Sequence, residues 1–90
     1  MYYISIKDEM DNRMVEVVEG TTPAAADYVK QFEVLFPPAE DREFEPEYDV
    51  VIYPVEVENI SLRELNIWAE KMTEEEFRDE FCGGEYERSI

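Results

Sequence analysis

Residues 48 to 57 read YDVVIYPVEV, a β-branched and aromatic run that suits a half-buried pleated sheet far better than a helix. It is the strongest strand signal in the chain and commits the fold to a sheet. Pro54 lacks the N–H that a ladder needs, so the strand is expected to carry it at a bulge or on an edge. Two shorter runs, Tyr2 to Lys7 and Met14 to Val18, have the same character. Between them Asp8 to Arg13 contains Asp11 and Asn12, which tolerate turn geometry, and the whole reads as a hairpin.

The rest of the chain has helical spacing. GTTP at 20 to 23 predicts a helix start, with Thr22 as N-cap and Pro23 at the first helical position. Tyr28, Val29, Phe32, Leu35 and Phe36 then share one face, and Pro37 and Pro38 end the helix. SLRE, beginning at Ser61, is a capping-box pattern with Glu64 reaching back, opening a second helix whose Leu62, Leu65, Trp68, Ala69 and Met72 share a face. TEEE at 73 to 76 opens a third, with Phe77 and Phe81 inward and Gly83 and Gly84 closing it. The order β-β-α-β-α-α predicts a single α+β domain over 1–90, with a three-stranded antiparallel or mixed sheet and two to three helices.

At 90 residues the core must be small, yet 44% hydrophobic and 13% aromatic residues are enough for a globule. Charge is the outlying quantity. Asp and Glu number 24 against 8 Lys and Arg, a formal net charge of -16, so the folded chain repels itself. A strongly basic partner, a high-salt environment or solubility would each account for it. Solubility alone needs only about 2 to 8 net charges. Direct nucleic-acid binding calls for clustered bases that this chain lacks. Cys82 is the single cysteine and there is no histidine, which excludes a disulfide scaffold and Cys/His zinc or catalytic pairs. Asp8, Asp11 and Asn12 lack the glycine turn and distal glutamate of a calcium loop. No metal or cofactor is expected. MYYISIKDEM is too short in apolar length and too acidic for a signal peptide, and no run approaches the roughly 20 apolar residues of a membrane span. A cytoplasmic monomer or weak dimer is the expectation.

The tract EYDVVIYPVEVENISLRELNIWAEKMTEEEF resembles the first domain of the ArdA family of antirestriction proteins, where an acidic strand precedes a capped helix of the form S-x-x-E-L-N. YYISIKDEMDNRMVEVVEGTT is similar to that domain's opening hairpin and loop, so the likeness runs over roughly residues 2 to 81. ArdA proteins come from phages and mobile elements and act as DNA mimics on type I restriction-modification enzymes. The resemblance implies that role here.

A mimic needs fixed carboxylates, since a duplex carries one charge per about 1.7 Å of axis. The candidates are Glu40, Asp41, Glu43, Glu45, Glu47 and Asp49 in EDREFEPEYD, Glu56 and Glu58 farther along the strand, and Glu74, Glu75, Glu76, Asp79 and Glu80 on the last helix. In an extended segment, alternate acids such as Glu43, Glu45, Glu47 and Asp49 would lie about 6.6 Å apart on one side. Phe44 and Tyr48 would anchor them. The bland alternatives are a solvated loop at 40 to 49, helix capping by TEEE, a core position for Trp68 and an inert Cys82. No Gly-rich phosphate loop, nucleophile elbow or selected acid pair marks an enzyme. The expected function is therefore a non-enzymatic inhibitor, antirestriction or anti-CRISPR, that occupies a basic DNA channel of a host defence enzyme. The alternative is an acidic accessory protein that binds through a hot spot at Trp68 or a Tyr2/Tyr3 strand edge, with charge only steering association.

Overall fold

Asp8 organises the turn on which the sheet begins. Its Oδ1 accepts the backbone N–H groups of Met10 and Asn12, both at 2.9 Å, and its Oδ2 accepts the Asn12 side-chain amide at 3.0 Å. The Asn12 amide foremost, with the backbone donors, holds the Asp8 carboxyl below the usual range. Asp11 closes the loop at φ 66°, a left-handed conformation that Asp tolerates better than most residues.

The computed structural model describes residues 1–38 and 46–82. The hairpin joins β1 (Tyr2–Lys7) to β2 (Arg13–Val18), and β3 (Asp49–Pro54) pairs with the other side of β1, giving an antiparallel sheet of order β2-β1-β3. Tyr3 faces Val17 on one neighbour and Tyr53 on the other. Side chains alternate across a strand, so β1 serves two cores. Ile4 and Ile6 pack with Phe32 of α1 (Ala25–Leu35), whereas Tyr3 packs with Leu65 and Ala69 of α2 (Leu62–Lys71) and with Phe77 and Phe81 of α3 (Glu74–Phe81). The result is three layers, with α1 on one face and α2 and α3 on the other.

Aromatic stacking fixes α3. Tyr3 lies between Tyr53 (centroids 6.2 Å apart) and Phe77 (4.4 Å), and Phe77 leads on to Phe81 at 4.8 Å. Such ring pairs contribute about 0.5–1.5 kcal/mol each beyond their buried area. Arg13 serves α2 instead. Its guanidinium donates to the carbonyls of Ala69 (3.3 Å) and Met72 (3.0 Å), supplying a cation at the helix C-terminus, and to the Tyr3 hydroxyl at 3.2 Å. Burial pushes the Tyr3 phenol up despite that donor.

Both sheet edges are partly blunted. Asn66 accepts the Val17 N–H at 2.8 Å and donates to the Val17 carbonyl at 3.0 Å, standing in for one step of a fourth strand beside β2. On β3, the Val55 N–H donates to the Met1 carbonyl at 2.8 Å. Odd-numbered residues therefore turn their backbone groups toward β1, and Pro54 turns its nitrogen outward, as an edge strand permits.

Six expectations need correction. Glu64 does not reach back to the Ser61 backbone, because its carboxylate takes the Ser61 hydroxyl at 3.3 Å instead. β3 ends at Pro54 rather than Val57, because the chain leaves the ladder to tie Glu56 N–H to the Phe81 carbonyl at 2.9 Å. Thr22 is not a cap: its hydroxyl bonds the Tyr2 hydroxyl at 3.0 Å, and the helix starts later, with Ala24 at the N-cap. Leu35 is 60% exposed, since the last turn of α1 overhangs the β2 edge, where Leu35 lines a cleft with Met14 and Val15. Trp68 is 45% exposed because the narrow seat of α2 is filled by Leu65 and Ala69. β1 is the central strand and Tyr3 is fully buried, so no Tyr2/Tyr3 strand edge exists. Gly83 and Gly84 lie outside the described residues.

Candidate functional site

The third helix is built to hold charge still. Thr73 accepts the Glu76 N–H at 3.2 Å, and the Glu76 carboxylate accepts the Thr73 N–H at 3.0 Å, a complete capping box. Phe77 and Phe81 turn inward, and that anchoring leaves Glu75, Glu76, Asp79 and Glu80 exposed. Their spacing of three, four and five places them on one outward face. Between Glu75 and Glu80 the axis advances about 7.5 Å, so the four carboxylates stand on average about 2.5 Å apart along it. Like charges at this spacing repel, which makes the face a cost to the helix rather than a support.

Glu74 departs from its neighbours. It is half-buried, and its Oε2 accepts the Tyr53 hydroxyl at 2.7 Å, tying α3 to β3. Burial and that carboxylate together push the Tyr53 phenol up. A carboxylate committed in this way locks the fold and is withdrawn from the candidate surface. Asp79 shares its charge in part with Arg78, at 3.5 Å, while Arg78 also lies 6.0 Å from the centre of the Tyr53 ring. Among the described residues Arg78–Asp79 is the single ion pair within 4 Å, so the excess negative charge is left largely unneutralised by the protein itself.

A second acidic group lies at the other end of β3. Glu47 and Asp49 are exposed, and antiparallel pairing of Lys7 with Asp49 brings the hairpin loop beside them. Asp8, Glu9, Glu47 and Asp49 line one shallow depression of about 270 Å³ together with Lys7 and Tyr48. Sequence reasoning missed Asp8 and Glu9, because only the β1–β3 register makes them neighbours of Asp49. Tyr48 anchors the group: its hydroxyl donates to Glu33 at 2.7 Å and its ring meets Phe32 edge-on at 5.3 Å. Glu40, Asp41, Glu43 and Glu45, with Phe44, lie outside the described residues.

Glu56 and Glu58 are exposed beyond the end of β3 rather than on it. The bond from Glu56 to Phe81 joins this turn to the C-terminal end of α3. Among the described residues the candidate acids thus gather at the two ends of β3, with Glu47 and Asp49 at one and Glu56, Glu58 and α3 at the other.

Little else on the molecule offers chemistry. Cys82 is buried at the end of α3, where burial foremost, and then Glu56, push its thiol up to about 11, so it is neutral and unreactive at neutral pH. Among the described residues no group of three or more metal-ligating side chains converges, and no helix is long and apolar enough to cross a membrane. Compared with protein-family models, curated proteins and solved structures, the chain matches none of them.

Proposed function

We propose that this protein is a phage or mobile-element inhibitor that acts as a DNA mimic, occupying the basic nucleic-acid channel of a host defence enzyme such as a restriction-modification complex or a CRISPR effector. The observation that carries the reading is the outward face of α3. Its four carboxylates, about 2.5 Å apart along the axis, come within a factor of about 1.5 of the axial charge spacing of a duplex, about 1.7 Å, on a helix held by a capping box and two buried phenylalanines. A relationship of residues 2–81 to the first domain of ArdA proteins is part of this proposal. Lys and Arg that normally hold phosphates would accept these carboxylates in charge-assisted hydrogen bonds, and DNA could not enter while they do. Glu56 and Glu58 beyond one end of β3, and the Glu47/Asp49 group at the other, add further carboxylates.

The test is capture from a bacterial lysate on the immobilised protein, with elution by salt and by duplex DNA. A nucleic-acid enzyme displaced by DNA, and no longer captured when Glu75, Glu76, Asp79 and Glu80 are changed to Lys, is the expected result. A target that binds the protein and DNA together without loss of affinity for either would overturn it.

One observation favours a second reading. Trp68, 45% exposed, is an aromatic side chain of the type that dominates binding hot spots. If the protein is instead an acidic accessory factor, Trp68→Ala removes partner binding and leaves the fold intact, while reversal of the α3 acids changes only the on-rate.

A further inference from the structure

The outward face of α2 differs from every other charged surface described above. Opposite the buried Leu65 and Ala69 run Arg63, Ile67 and Lys71 at four-residue spacing, with Glu70 on the flank nearer Arg63 and Glu64 on the other. Arg63, Ile67, Glu70 and Lys71 line one shallow depression of about 280 Å³, and Ile67 is 44% exposed. Two bases offset two acids there. In a chain of net charge -16, this face is where two copies meet with the least repulsion.

We propose that α2 pairs antiparallel with α2 of a second copy, across a twofold axis at Ile67. The charge order sets the register. Arg63 stands four residues before Ile67 and Glu70 three after it, while Glu64 stands three before and Lys71 four after. In an antiparallel helix pair like flanks meet, so Arg63 faces Glu70 of the second copy and Glu64 faces its Lys71, and twofold symmetry repeats each contact. Ile67 packs on Ile67 at the centre. A parallel pair, in which unlike flanks meet, would instead set Arg63 against Glu64 and Glu70 against Lys71, so the Arg63→Glu, Glu70→Arg double variant separates the two orientations. Among the described residues, none of these four charged side chains has an ion partner within 4 Å in its own chain, so each is available to the second copy. The contact uses none of the α3 carboxylates, and its failure would leave the mimic reading untouched.

Sedimentation equilibrium of the full chain at about 0.15 M salt, from about 10 μM to about 1 mM, tests it. A monomer–dimer equilibrium is expected, abolished by Ile67→Asp. Arg63→Glu turns two attractions into repulsions and weakens the dimer about tenfold or more. Adding Glu70→Arg to that variant restores both contacts with reversed sign, and affinity returns to within about threefold of the parent. All three positions are exposed, and a thermal melt of each variant confirms that the fold is kept. A chain that is monomeric at about 1 mM, a dimer unmoved by Ile67→Asp, or a double variant no tighter than Arg63→Glu alone would each overturn the proposal.

Discussion

Helices α2 and α3 are neighbours in sequence and share one face of the sheet, yet they are seated and finished differently. Both start at a hydroxyl cap followed by glutamate, Ser61 with Glu64 and Thr73 with Glu76. In α2 the box is half made: the Ser61 hydroxyl bonds both the Glu64 N–H and its carboxylate, so the glutamate does not reach back to the backbone. Its C-terminal carbonyls are held from outside by Arg13. α3 has the complete box and an aromatic seat of Phe77 and Phe81 on Tyr3. Outward, α3 shows four exposed acids, of which Glu76 also caps the helix and Asp79 also meets Arg78, whereas α2 shows balanced charge and two half-exposed apolar side chains, Ile67 and Trp68. Apart from Glu76, which completes the α3 capping box, these outward side chains have no part in the buried core; under the two proposals one surface suits a basic channel and the other an apolar, charge-matched contact.

The largest contrast should come from an inward and an outward aromatic side chain on these helices, Phe77 and Trp68. Phe77→Ala removes a fully buried ring from the α3 stack and is expected to cost about 3–5 kcal/mol in chemical denaturation. Trp68→Ala, on the solvent side of α2, should cost less than about 1.5 kcal/mol. Equal losses would mean that Trp68 is structural and would remove it as a binding residue.

The caps give the next contrast. Thr73→Ala breaks a reciprocal box and should cost about 1–2 kcal/mol, against about 0.5–1 kcal/mol for Ser61→Ala. The reverse order would show that α2, not α3, depends on its N-terminus.

The smallest effect is a pH dependence confined to the end of α3. Burial raises the Cys82 thiol from an ordinary 9.0 to about 11. Between those values the folded chain keeps a proton that the unfolded chain has released, so stability falls as pH rises through this window and is fully present below it. Denaturation of the parent and of Cys82→Ala at pH 8 and about pH 10.5 should show the parent losing its advantage at the higher value. An advantage that is constant across the window would mean that the thiol ionises freely in the folded state.

Much of this was legible from local chemistry. The strands, the two later caps and the inward Phe77 and Phe81 follow from β-branched runs, S/T-x-x-E spacing and helical period, all properties of near neighbours in the chain. Other features were not legible. Thr22 and Pro23 form a good helix start, yet Thr22 gives its hydroxyl to Tyr2, twenty residues away. Glu74 looks like its neighbours in TEEE and is instead spent on Tyr53. Asp8 and Glu9 join Glu47 and Asp49 only through strand register. Each miss involves a partner distant in sequence.

By itself, then, the sequence determined the kinds of element, their order and the excess of negative charge, because period, capping and net charge are local or additive quantities. Only the tertiary structure decided which of the described acids remain exposed, which are consumed by the fold, and that the described candidates gather at the two ends of β3. It also decided that β1 lies at the centre and that Trp68 and Ile67 face outward. Those outcomes depend on how three strands pair and how narrow a seat they leave for a helix, and no stretch of neighbouring residues encodes that geometry.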